Sequence, residues 1–113
     1  MSKVAEFAVA RTQIIDLDGA AIEALPAFAR DPKEVMALYR GMMLTRAFDA
    51  KAVALQRTGR LGTYASSLGQ EAVSVGVAAA MLPSDVLLPS FREHGAQLWR
   101  GVSLKELFLL GRR

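Results

Sequence analysis

The residues with most chemistry to offer stand together in Ser90-Phe91-Arg92-Glu93-His94-Gly95. Arg92 follows a short apolar run, Val86-Leu87-Leu88, closed by Pro89, and precedes a helical pattern. In α/β proteins anionic ligands bind where strand ends meet helix starts, and a planar guanidinium suits phosphate oxygens. On these grounds alone, a surface ion pair with a nearby acid accounts for Arg92 equally well. His94 is the single histidine and there is no cysteine, so neither a histidine cluster nor a thiolate site can hold a metal. A lone histidine is more often a structural hydrogen-bonding residue than a catalyst, and spacing suggests no Ser-His-Asp arrangement.

A second candidate region is the loop Thr58-Gly59-Arg60-Leu61-Gly62-Thr63-Tyr64-Ala65-Ser66-Ser67-Leu68. Polar, glycine-punctuated loops held between helices are frequent seats of function. Tyr64, Ser66 and Ser67 supply its hydroxyls. Ser67 with Gln70 three residues on has the spacing of a capping box, so Gln70-Glu71 can be read as no more than a helix start.

The elements that must position these groups follow from pattern. Residues 1–30 read as an irregular arm with sparse apolar anchors at Ile14, Ile15, Leu17, Leu25 and Phe28. Asp31-Pro32-Lys33-Glu34 combines an N-cap, a proline at the first helical position and a glutamate three residues after the cap. A helix is expected from there to about Arg57. Its apolar face is Leu38, Met42, Phe48, Ala52 and Leu55, widened by Tyr39 and Met43, with Arg40, Arg46, Asp49 and Arg57 on other faces. Thr58-Gly59 stops it. A second helix is expected from about Gly69 to Met81, with the small residues Ala72, Gly76 and Ala80 on one face and Val73, Val77 and Met81 on an adjacent one. Val86-Leu87-Leu88 reads as a brief buried strand. A helix through Trp99-Arg100 follows, and Ser103-Leu104-Lys105-Glu106 opens a last one as a capping box.

Composition narrows the class. Of the 113 residues, 52% are hydrophobic and mean hydropathy is +0.25, rich for a chain with so little interior. The excess is expected to be buried against a partner subunit or the remainder of a larger domain. Net charge is +3 with a pI near 9.7, but two positives are the terminal Arg112 and Arg113 and the others are scattered among acids. Nucleic-acid binding would need a basic stripe with interleaved aromatics. The longest apolar stretch, Ala72 to Leu82, is broken by Ser74 and Gly76 and falls short of the roughly 18–20 residues of a membrane span. The first residues lack a signal-peptide design, which makes the cytoplasm the expected location.

Three motifs in order carry a resemblance: Leu38-Tyr39-Arg40-Gly41-Met42-Met43-Leu44-Thr45-Arg46-Ala47-Phe48-Asp49, then Gly62-Thr63-Tyr64-Ala65-Ser66-Ser67-Leu68-Gly69-Gln70-Glu71-Ala72, then Leu88-Pro89-Ser90-Phe91-Arg92-Glu93-His94-Gly95. From about Asp31 to Phe108 the chain resembles the E1 α-subunits of bacterial pyruvate dehydrogenases. The branched-chain 2-oxo acid dehydrogenase α-subunits are the close alternative. The resemblance implies an α/β thiamine-diphosphate-binding fold, represented over residues 31–113 by an incomplete, predominantly helical piece with one short strand. It implies an α2β2 assembly with an E1 β-subunit, and oxidative decarboxylation of a 2-oxo acid, pyruvate, with acetyl transfer to the lipoyl domain of an E2 component. It places Phe91 and Arg92 on the cofactor diphosphate. Many relatives have tyrosine at Phe91, so a phenolic hydrogen bond to phosphate is absent here. Tyr64, Ser66, Ser67, Gln70 and His94 fall near the substrate end. Some relatives carry an active-site histidine in the loop, where this chain has Ala65, so no catalytic residue is carried over. The family's Mg2+ motif, Gly-Asp-Gly and a later Asn, has no counterpart in these residues.

The ending also departs from the family pattern. Relatives continue after Leu-Phe-Leu with Tyr-Trp-Gly-Gly-Asp-Glu, whereas Phe108-Leu109 leads here to Leu110-Gly111-Arg112-Arg113. A two-base shift in reading GC-rich codons produces that change. The expectation is a truncated chain, inactive by itself, with a frameshift near Leu110; a sequencing error or a pseudogene fits equally. A competing reading is a non-catalytic module that docks on a β-subunit through Ala72, Gly76 and Ala80.

Overall fold

The computed structural model describes residue 2 and residues 4–111. The Arg112-Arg113 ending of the shifted reading lies outside them. Four α-helices follow in order: α1 (Pro32–Arg57), α2 (Glu71–Ala80), α3 (His94–Trp99) and α4 (Leu104–Leu110). A turn of 3-10 helix, Ala27–Arg30, leads into α1. Before it the chain is irregular, with one antiparallel bridge between Ile15 and Ala21 around a turn in which Asp16 accepts the Asp18 and Ala20 amides.

Both ends of α1 stand where the sequence places them. The Asp31 side chain accepts the Lys33 amide at 2.8 Å, with Pro32 inside the first turn, so one of the orphan donors of the helix start is satisfied. At the other end Gly59 has φ +71°, and Arg60 N–H returns to Leu55 C=O at 2.9 Å. Only glycine takes that left-handed conformation without steric cost. At α4 the Ser103 side chain accepts the Glu106 amide while Glu106 accepts the Ser103 amide at 2.8 Å, the expected reciprocal box.

Three expectations need correction. Residues 86–88 form no strand: they carry no regular secondary structure, with Val86 80% and Leu88 88% exposed. A strand exists only through a ladder partner, and among the described residues no segment pairs with this one. The predominantly helical character is therefore observed, whereas the strand of the α/β reading is not. Second, Ser67 does not cap α2. The N-cap is Gln70, without a side-chain cap bond, because the Ser67 hydroxyl is engaged by Asp49. Third, Asp49 does not lie on an outer face of α1. Thr45, Phe48, Asp49 and Ala52 are its buried residues, while Tyr39 and Met43 are half exposed.

The apolar core sits where α1 meets α4 and the loop between α1 and α2. Phe48, Ala52, Leu61 and Leu107 are buried there, with Leu55, Tyr64, Leu98, Val102 and Phe108 against them. A second contact joins α1, α2 and α3 through Val75, Ala78 and Ala96. Its tightest point is Gly95, where a Cβ would collide with Ser74 Oγ and stand 2.8 Å from Thr45 Oγ1. The opposite face of α2 is uncovered: Ala72, Val73, Gly76, Val77 and Ala80 are exposed. No helix among the described residues is long and apolar enough to cross a membrane.

Candidate functional site

The loop after α1 is organised by one carboxylate. Asp49, 3% exposed, accepts Tyr64 Oη–H at 2.7 Å, Ser66 Oγ–H at 2.8 Å, the Ser67 amide at 2.7 Å and, at 3.3 Å, the Ser67 hydroxyl. Burial alone would raise its pKa, but four donors outweigh that and hold it below the ordinary value. Tyr64 responds in the opposite direction. Burial, and then the bond to Asp49, raise its pKa, so it remains a protonated donor. Asp49 thus serves as a structural acceptor, with three of its four hydrogen bonds on Oδ1 and one on Oδ2.

A second charged pair locks the loop to the start of α2. Arg46 Nε donates to Glu71 Oε1, which also accepts the Gly69 amide at 3.2 Å. Gly69, at φ +84°, makes the turn that brings its amide there. The Arg46 hydrogen bond is the main reason that Glu71 sits at about 2, against the opposing effect of burial.

Arg92 closes the arrangement from the other side, its Nε donating to Ser66 C=O at 2.9 Å. That is its side-chain bond among the described residues, so the ion pair considered from sequence is not what holds it. The nearby acid, Glu93, instead accepts the Ser90 and Arg92 amides at 2.7 and 3.2 Å. His94 packs against two rings that also touch each other, 5.3 Å from Phe48 and 5.1 Å from Tyr64 by centroid. Its Nδ1 is buried without a hydrogen-bond partner. Burial lowers its pKa against the pull of Asp49 and Glu93.

Of the residues singled out from sequence, Tyr64, Ser66, Ser67, Arg92 and His94 are brought together. Phe91, 74% exposed, and Gln70, on the outer edge of the α2 start, are not drawn into this network. Asp49, Arg46 and Glu71 were missed. The signal for Asp49 was the spacing Thr45, Phe48, Asp49, Ala52, which is one helical face (i, i+3, i+4, i+7). Among the described residues no group of three or more His, Cys, Asp or Glu could hold a metal ion. What the arrangement offers is an exposed guanidinium anchored by Nε, its Nη edge without a hydrogen-bond partner among the described residues and so open to an oxyanion, next in sequence to the exposed Phe91.

The dehydrogenase E1 component family model matches residues 39–112, a span that holds the whole of this network. The chain belongs to that family. It is 46% identical over 79 residues to the pyruvate dehydrogenase E1 component subunit alpha of Acholeplasma laidlawii, a match covering 69% of this chain and 23% of that protein. It is 34% identical over 102 residues to the protein of the same name from Bacillus subtilis (strain 168), covering 88% and 27%. Against the mitochondrial 2-oxoisovalerate dehydrogenase subunit alpha 1 of Arabidopsis thaliana it is 36% identical over 94 residues, covering 83% and 20%. The chain thus spans about a quarter of the length of these relatives. No solved structure matches.

Proposed function

We propose that this chain is the diphosphate-binding portion of a thiamine-diphosphate-dependent 2-oxo acid dehydrogenase α-subunit. The observation that carries the reading is Arg92: held by Nε, exposed, and with its outer edge free. Arg92 would meet a diphosphate oxygen through that edge and Phe91 would pack on the cofactor. The cofactor, when bound, supplies the carbanion chemistry that decarboxylation of a 2-oxo acid requires. Tyr64, Ser66, Ser67, Gln70 and His94 stand on the side where substrate would lie. The proposal includes Mg2+ as the companion of the diphosphate; among the described residues no group of three or more His, Cys, Asp or Glu stands together to hold it.

Pyruvate is the substrate we infer, because the relative at 46% identity bears that name; matches named for 2-oxoisovalerate make the branched-chain acid the alternative. The proposal includes acetyl transfer to an E2 lipoyl domain, pairing with an E1 β-subunit and a cytoplasmic location. It includes the α/β architecture too, supported by the largely exposed apolar run at residues 86–88. The uncovered face of α2, with Ala72, Gly76 and Ala80, favours a docking role toward the β-subunit even without catalysis. The test is titration of the chain with thiamine diphosphate and with thiamine. The diphosphate form is expected to bind at least tenfold more tightly, and Arg92→Ala, unlike Arg60→Ala, to erase that preference. Equal binding of both compounds by the unaltered chain overturns the proposal.

A further inference from the structure

We infer that Asp49, which touches no ligand in this reading, is the positioning residue for Arg92 and acts through a single peptide unit. The inference rests on the proposed anion-binding role of Arg92. Asp49 Oδ1 accepts the Ser67 amide at 2.7 Å, and Ser66 C=O accepts Arg92 Nε at 2.9 Å. These two groups belong to the same peptide bond. Among the described residues no peptide bond is cis, and in a planar trans peptide the N–H and C=O point in opposite directions. Fixing the Ser67 N–H on a buried carboxylate therefore aims the Ser66 carbonyl outward, at Arg92.

Two further bonds keep the plate from turning. The Ser66 hydroxyl reaches Asp49 Oδ2 at 2.8 Å, so the residue on one side of the peptide is tied down. The Ser67 hydroxyl, on the other side, reaches Oδ1 at 3.3 Å. A negative charge at the N–H end also polarises the peptide and strengthens its carbonyl as an acceptor. At Arg92 the consequence is geometric. Nε and both Nη lie in one plane, so a fixed Nε bond sets the plane in which the Nη edge presents itself to an oxyanion. An arginine so held loses less rotamer freedom on binding than a free one. Glu93 supports the same arrangement by holding the Arg92 amide.

The experiment has two readouts on the full chain: hydrogen exchange of the Arg92 Nε–H by NMR, and affinity for inorganic diphosphate by calorimetry. Asp49→Asn is expected to speed Nε–H exchange at least fivefold and weaken diphosphate binding five- to tenfold. In the Arg92→Ala background the same substitution should change diphosphate affinity less than twofold. Tyr64→Phe removes a donor from Asp49 without touching the peptide and should leave Nε–H exchange within twofold. Ser66→Ala, which deletes one exposed hydroxyl, carries the test in milder form if Asp49→Asn fails to fold, with about a twofold rise in exchange. Unchanged Nε–H exchange in folded Asp49→Asn, or in Ser66→Ala where Asp49→Asn does not fold, overturns the inference, as does an affinity loss equally large in the Arg92→Ala background. If Arg92→Ala leaves diphosphate binding intact, the anion-site reading fails, while accelerated Nε–H exchange in Asp49→Asn still upholds the relay.

Discussion

Gly95→Ala sets two effects of known size against each other. Gly95 is the second residue of α3, and alanine in a helix is favoured over glycine by about 0.5–1 kcal/mol. Against that, the new Cβ would collide with Ser74 Oγ and lie 2.8 Å from Thr45 Oγ1 and 3.1 Å from Thr45 Cγ2. Both neighbours are buried on other helices, so relief requires α3 to move off α1 and α2 together. Overpacking of this kind costs about 1–3 kcal/mol, and the net expectation is a loss of about 1–2 kcal/mol. Ser74→Ala removes the worst contact while giving up a long 3.3 Å bond to Glu71 C=O, which contributes little. The double variant should recover about half of the loss. Urea unfolding followed by far-ultraviolet circular dichroism measures the cycle, and a coupling of about 1 kcal/mol is expected. Gly95→Ala as stable as the parent, or strict additivity with Ser74→Ala, would refute the close three-helix approach.

Two further outcomes follow from the buried polar groups. Glu71 titrates near 2 in the folded chain, chiefly through Arg46, so the stability it contributes is fully present above an unfolded-state pKa of about 4.3 and is lost as pH falls toward 2. Arg46→Met should therefore lower the urea midpoint at pH 7 and lower it much less at pH 2.5, the effect being moderated by solvent at the half-exposed arginine; a pH-independent difference in urea midpoint counts against the pair. His94 has the opposite charge type but the same direction of loss. Its folded pKa is lowered by burial, so stability is present above its ordinary 6.5 and declines as pH falls below it. His94→Phe removes the orphaned Nδ1, keeps a ring against Phe48 and Tyr64, and should raise the melting temperature at pH 5 more than at pH 8. An equal shift at both pH values sinks the assignment.

What the sequence revealed of the fold was whatever local chemistry determines. Asp31-Pro32 and Thr58-Gly59 bound α1 because caps act through neighbouring backbone groups, and Ser103 with Glu106 opens α4 for the same reason. What it concealed was competition over distance. Ser67 carries a capping-box spacing, yet its hydroxyl goes to Asp49 on another element, an outcome no local rule contains. Asp49 was assigned outward because charge usually means solvent, although its register with Thr45, Phe48 and Ala52 pointed inward. Val86-Leu87-Leu88 has the composition of a strand, but pairing is a property of two segments and one alone cannot disclose it. In the site, motif order brought Tyr64, Ser66, Ser67, Arg92 and His94 into view. Their shared dependence on one carboxylate came only with the packing.

The reach of Asp49 has a kinetic consequence. Its partners are 15 to 18 residues away along the chain, a separation whose closure entropy grows only as the logarithm of length. Loops of about ten residues close in tens of nanoseconds, far faster than residues emerge during synthesis at about 5–20 per second. Once α1 and the residues to about 70 are free of the ribosome, the carboxylate can gather its donors before α2, α3 or Arg92 exists. The Ser66 carbonyl would then be aimed first, and the arginine would arrive at a receptor already formed.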